Sequence, residues 1–228
     1  MYNKPTNLSR RALLRNTALI GAVAAIGAPA LVGAATPTRL TFGHGAAAGN
    51  PRALAAEHFA ELVKERTGGA VDVTVAGSAQ LGDDAAMLTS LRTGSLAISA
   101  NSQGTTSALV PELAALGLPF LFTRSSEAIE LLSGKIGDQL KPRFDAVGLV
   151  PIGWWDNGIR HISNSRRPIV VPDDLRGLKI RTPSDPATID IFQALGAATA
   201  QIAFSELYVA LQQGVVDGQE NPLANIAS

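Results

Sequence analysis

Between Arg39 and Ser99 the chain alternates short apolar runs with helix-length amphipathic stripes, and no other feature constrains its fold as much. Arg39 to Gly43 reads as a first strand. Asn50 and Pro51 then supply a helix N-cap and a proline at the first helical position. Leu54, Ala55, Phe59, Leu62 and Val63 recur at three- and four-residue steps until Gly68 and Gly69. Val71 to Val75 alternates as a second strand. Asp83 caps a helix with Met87, Leu88 and Leu91 inward, Gly94 ends it, and Leu96 to Ser99 gives a third strand. Short strands separated by helices demand a largely parallel sheet with right-handed crossovers, so the chain is α/β.

Further along, Leu116 to Phe122 (LGLPFLF) reads as buried, and Ser125 or Ser126 caps a helix running towards Phe144. Val147 to Trp155 reads as a strong strand broken at Asp156-Asn157-Gly158, where a crossing between lobes fits. Trp154 and Trp155, as strand neighbours, face opposite sides: one belongs to the core and one to a cleft, with Trp155 the cleft candidate and ordinary packing the alternative. Asp173 caps a turn leading to the apolar run that ends at Arg181. Asp185-Pro186 starts a helix ending at Gly196, Ser205 starts another ending at Gly214, and Asp217 to Asn221 reads as a polar turn.

Composition narrows the function. The first 34 residues hold Lys4, Arg10, Arg11 and Arg15 and no acid, so the zero net charge of the whole chain hides a body that is acidic by four. An acidic body with 5% aromatic residues argues against nucleic acid as a partner. There is no cysteine, which excludes disulfides, thiolate metal sites and a cysteine nucleophile. His44, His58 and His161 are scattered without metal-ligand spacing, so no metal or other cofactor is expected. The glycines at 43 and 45 mimic a dinucleotide loop, but the second strand ends at Val75-Ala76 with no ribose-binding acid.

Residues 1–35 have the three-part order of an export signal. Ser9-Arg10-Arg11-Ala12-Leu13-Leu14 resembles a twin-arginine signal, which implies a periplasmic destination; a Sec signal or an uncleaved anchor is the alternative.

Arg181 and Asn221 carry the chemistry. A guanidinium offers a planar fork of donors for a carboxylate or phosphate, and an amide donates and accepts, so together they suit a small polar anion. The motifs Gly158-x-Arg160, Asp174-Leu175-x-Gly177-Leu178-Lys179-x-Arg181, Phe204-Ser205-Glu206-Leu207-Tyr208 and Val216-Asp217-Gly218-Gln219-Glu220-Asn221-Pro222 resemble the solute-binding proteins of TRAP transporters, the DctP type. Gly77-x-x-x-Gln80-Leu81-Gly82 and Leu118-Pro119-Phe120 are similar to that family too.

The resemblance implies a two-lobe periplasmic binding protein-like fold, each lobe a mostly parallel sheet flanked by helices, here with lobe one at 36–155 and a partial lobe two at 156–228. It implies a monomer that binds a small carboxylate, an organic acid or a sugar acid, and delivers it to a membrane permease. Arg181 matches the arginine that binds the substrate carboxylate, Arg160 a second basic contact, Asn221 the amide of the far wall and Phe204 an apolar contact. Asp83, Asp84, Ser102 and His44 match positions where the first lobe approaches the ligand.

Two other readings stand beside it. An exported enzyme would use Asp156, His161 or Glu206 as a general base near Arg181, but no base motif marks one out. Family members also run on beyond the Glu220-Asn221-Pro222 turn, whereas this chain stops at Ser228, which implies a truncated remnant with a poor cooperative melt.

Overall fold

The computed structural model describes residues 36–228, so the export signal read at 1–35 lies outside the described residues. The first alternation forms as expected: β1 (Thr38–His44), β2 (Val71–Ala76) and β3 (Ile98–Ala100) make a parallel sheet in the order β2-β1-β3. α1 (Pro51–Arg66) and α2 (Asp84–Thr93) are its crossovers. Asn50 caps α1 by accepting a bond from the Arg52 N–H at 2.9 Å, and Asp83 caps α2 by accepting from the Ala86 N–H at 2.8 Å. Phe42, Ala56 and Val73 centre the core here, with Leu40, Phe59 and Val63 packed on them. The inward stripe of α1 is rotated from the expected one. Ala53 and Ala56 are buried and Leu54 is 55% exposed, because the small side chains let the helix sit close to the sheet.

α3 (Gln103–Ser107), a 3-10 turn (Pro111–Gly117), α4 (Ser125–Ser133) and α5 (Lys135–Ala146) close over a second core of Leu88, Val110, Leu113, Leu132, Leu140, Phe144 and Leu149. Trp154 joins it, its ring meeting Phe144 edge-on at 5.9 Å. Three expectations need correcting. Leu116 to Phe122 is not buried: the backbone bends outward at Phe120, which has φ 61° and a fully exposed side chain. Ser125 does not cap α4; its hydroxyl donates to Asp156 Oδ2 at 2.6 Å. Val147 to Trp155 forms no strand, since no segment among the described residues supplies a hydrogen-bond ladder to it, and Val150 and Ile152 stay exposed.

The second sheet contains β4 (Arg160–Asn164), β5 (Lys179–Thr182), β6 (Ala198–Gln201) and β7 (Gly218–Pro222) in the order β4-β7-β5-β6. β4 runs antiparallel to β7, while β5 is parallel to both of its neighbours. α6 (Pro186–Ala194) and α7 (Phe204–Gln212) connect the parallel strands, over a core of Leu175, Leu178, Ile180, Phe192 and Ala197. Asp174 rather than Asp173 holds the turn before β5, accepting from the Val170 and Val171 N–H groups at 2.8 and 3.0 Å. The expected polar turn at 217–221 is instead β7, buried along its whole length between two other strands. Gly, Gln, Glu, Asn and Pro are poor strand formers, so ladder pairing overrides local preference here. Gly218 is required in it, because a Cβ there would lie 2.2 Å from the Ser163 carbonyl oxygen. A short α8 (Leu223–Ile226) follows.

Candidate functional site

Both sheets direct the carboxyl ends of their parallel strands to one cavity of about 370 Å³. Gly45 follows β1, Asp83 and Asp84 follow β2, and Ser102 follows β3 on one wall; Pro183 follows β5, Ile202 follows β6 and Asn221 ends β7 on the other. This is where open parallel sheets bind ligands, because the following helices aim their N-termini there. Two buried bonds tie the walls together. Asn50 Nδ2 donates to Asn225 Oδ1 at 3.1 Å, and the Ser107 hydroxyl donates to Asp185 Oδ1 at 3.0 Å.

Strand alternation places Arg181, since Ile180 beside it enters the core and Arg181 faces the cavity at only 4% exposure. Its Nε donates to the Ile202 carbonyl at 2.7 Å, and it forms no ion pair among the described residues. Burial pulls its pKa down to about 10, partly countered by Glu220 and reinforced by Arg160. Arg160 is wrapped around the buried Glu220: Nη2 donates to Oε1 at 2.7 Å and to the Glu220 carbonyl at 3.0 Å, and Nε pairs with Oε2. The same Nη2 reaches Asn221 Oδ1 at 3.3 Å, while Asn221 Nδ2 donates to Gln219 Oε1 at 2.7 Å. Phe204 opens α7 and adds an apolar face.

On the opposite wall Asp83 is committed to its helix cap. Asp84 Oδ2 accepts from both the N–H and the hydroxyl of Ser102, at 2.8 and 2.6 Å. Among the described residues no group of three His, Asp or Glu side chains converges as metal ligands would.

The model of the DctP family, bacterial extracellular solute-binding protein family 7, matches residues 42–228. The chain belongs to this family. An uncharacterized protein, y4mM of Sinorhizobium fredii, is 68% identical over 86% of this chain, which spans 36% of that protein's length. The C4-dicarboxylate-binding periplasmic protein DctP of Rhodobacter capsulatus is 37% identical over 96% of the chain and 65% of its own length. The crystal structure of the sugar acid binding protein DctPAm from Advenella mimigardefordensis, in complex with galactonate, aligns with a TM-score of 0.81 at 38% identity, covering 84% of this chain and 62% of that one. The chain thus spans less than two thirds of the length of each of these relatives.

Of the residues singled out in the sequence of this DctP-family chain, Arg181, Arg160, Asn221, Phe204, Asp83, Asp84 and Ser102 line the one cavity. His44 and Trp155 do not. The His44 ring is buried with Nδ1 accepting from the Ala46 N–H at 3.2 Å, and it packs so closely on Gly77 that a Cβ there would lie 2.8 Å from Cε1. Trp155 turns its ring onto Phe42 at 5.8 Å, because its backbone belongs to no strand that could aim it at the cleft. Sequence reasoning missed Arg52, which also lines the cavity. A signal existed, since a cation in the first turn of a helix opposes the helix dipole and so is out of place unless something else holds it there.

Proposed function

We propose that this chain is the extracytoplasmic solute-binding component of a TRAP transporter, a periplasmic monomer that binds a small carboxylate and hands it to a membrane permease. The observation that carries the reading is Arg181, a buried guanidinium without an ion pair on the wall of a 370 Å³ cavity. Holding that charge out of water costs the fold roughly 3 kcal/mol, which a carboxylate placed against it would offset while adding charge-assisted hydrogen bonds. The periplasmic binding proteins among the relatives support the location, and the twin-arginine leader at 1–35 is its proposed route. The β2-β1-β3 sheet and the β4-β7-β5-β6 sheet are the proposed lobes, divided at 155/156. Binding rather than catalysis is supported by Asp83, Asp84 and Asp185, which accept hydrogen bonds from the protein's own donors, and by Glu206 standing exposed at the start of α7 with no partner among the described residues that would orient it as a base.

Calorimetry of the purified chain against mono-, di- and sugar acids tests the reading. Saturable binding of an acid, recovered chemically unchanged, is expected. Failure of every carboxylate to bind, or conversion of the bound one, sinks it.

A further inference from the structure

Arg52 is a second guanidinium on the cavity wall that no carboxylate pairs with among the described residues. Its Nε is buried without a hydrogen-bond partner, and Nη1 makes only a long contact of 3.4 Å to the Ala100 carbonyl. The protein's own hydrogen bonds therefore do not account for its position. A guanidinium has five N–H donors, so the side of Arg52 that meets the cavity has donors to offer.

Charge then limits what it can receive. Three guanidiniums, those of Arg52, Arg160 and Arg181, line the cavity. Glu220 neutralises Arg160, and Asp84 stands within electrostatic reach of both Arg52 and Arg181. The remaining acids of the wall, Asp83, Asp185 and Glu206, each sit at the start of α2, α6 or α7, where the helix dipole, worth about half a charge, offsets them in part. Arg181 is then the buried guanidinium without an ion pair among the described residues that a ligand carboxylate can meet, and the acids of the wall leave no second positive charge in surplus. A ligand's second carboxylate would meet Asp84 with no cation in surplus.

We infer that the cavity takes polyhydroxylated monocarboxylates, sugar acids of the aldonate kind. The carboxylate lies on Arg181, and a hydroxyl at the far end accepts from Arg52 while donating to Asp84 Oδ1. A hydroxyl can do both, whereas an ionised carboxylate only accepts, so Asp84 admits the first and repels the second. This rests on the carboxylate reading of Arg181.

The test is calorimetry with C4 to C6 aldonates (erythronate, gluconate, galactonate), the matching aldarates, hexanoate and the uncharged polyol galactitol. An aldonate is expected to bind at least about tenfold tighter than its aldarate and than hexanoate, a factor of ten being about 1.4 kcal/mol. Arg52→Gln is expected to weaken the aldonate about tenfold and hexanoate by less than about twofold. Asp84→Asn keeps an acceptor for Ser102, so the wall persists, and is expected to narrow the aldarate gap about tenfold. An aldarate that binds as tightly as its aldonate, or a gap unmoved by Asp84→Asn, overturns this inference and leaves the carboxylate reading standing. Galactitol binding as well as the acids, or no acid binding at all, removes both.

Discussion

Arg160 and Glu220 hold each other across β4 and β7, the guanidinium donating to both carboxylate oxygens and to the backbone carbonyl of the same glutamate. The pair turns an apparent second cation of the cleft into a neutral unit and lets a strand as polar as β7 lie buried. Glu220→Gln leaves Arg160 charged without its partner. Because the Arg160 side chain is 32% exposed, water screens part of the loss, and the expected destabilisation is about 1–3 kcal/mol. Urea unfolding measures it, and an unchanged midpoint would argue that the pair contributes nothing.

If Arg181 receives the carboxylate as proposed, it sets stability against binding. Arg181→Met removes an unpaired buried charge, so the ligand-free variant is expected to melt higher than the parent while losing carboxylate binding. Arg181→Lys keeps the charge without the planar fork and is expected to bind the acid at least about tenfold more weakly, about 1.4 kcal/mol. Thermal melts with and without ligand read both, and a lower melt for the methionine variant contradicts the assignment.

His44 and Arg181 both titrate below their ordinary values. Burial, followed by the Arg52 charge, lowers the His44 pKa, and its Nδ1 is already an acceptor for the Ala46 N–H. The unfolded chain therefore takes up a proton near pH 6.5 that the folded one resists, so stability is full above about 6.5 and falls as pH drops below it. His44→Asn, which retains an acceptor, is expected to flatten that acid limb. At the other extreme, carboxylate affinity is expected to hold through neutral pH and to fall as pH rises past about 10, where Arg181 loses its charge.

Asn50 has two tasks, capping α1 through Oδ1 and reaching Asn225 through Nδ2. Asn50→Ala should therefore cost about 1–2 kcal/mol, more than Asn225→Ala, which leaves the cap in place. Only Asn50→Ala is expected to speed hydrogen exchange in the first turn of α1. Equal exchange in the two variants would mean that the cap is dispensable.

How much of this could be read beforehand depends on whether the controlling interactions are local. The caps at Asn50 and Asp83, the stop at Gly94 and the parallel first sheet follow from neighbours in sequence, and they appear where expected. The buried strand at 218–222 does not, because its residues favour a turn until β4 and β5 lie on either side. Val147 to Trp155 errs in the opposite direction, since apolar alternation cannot reveal whether a neighbouring strand exists.

The site divides in the same way. The sequence by itself determined that Arg181 ends a strand and that Asn221 stands beside Glu220, because chain direction and spacing are local properties. Tertiary structure alone decided that Glu220 cancels Arg160, that Arg52 arrives from a distant helix, and that His44 and Trp155 turn away from the cavity. Those outcomes depend on which charges and rings meet across elements far apart in the chain, and on how much water remains between them once they do.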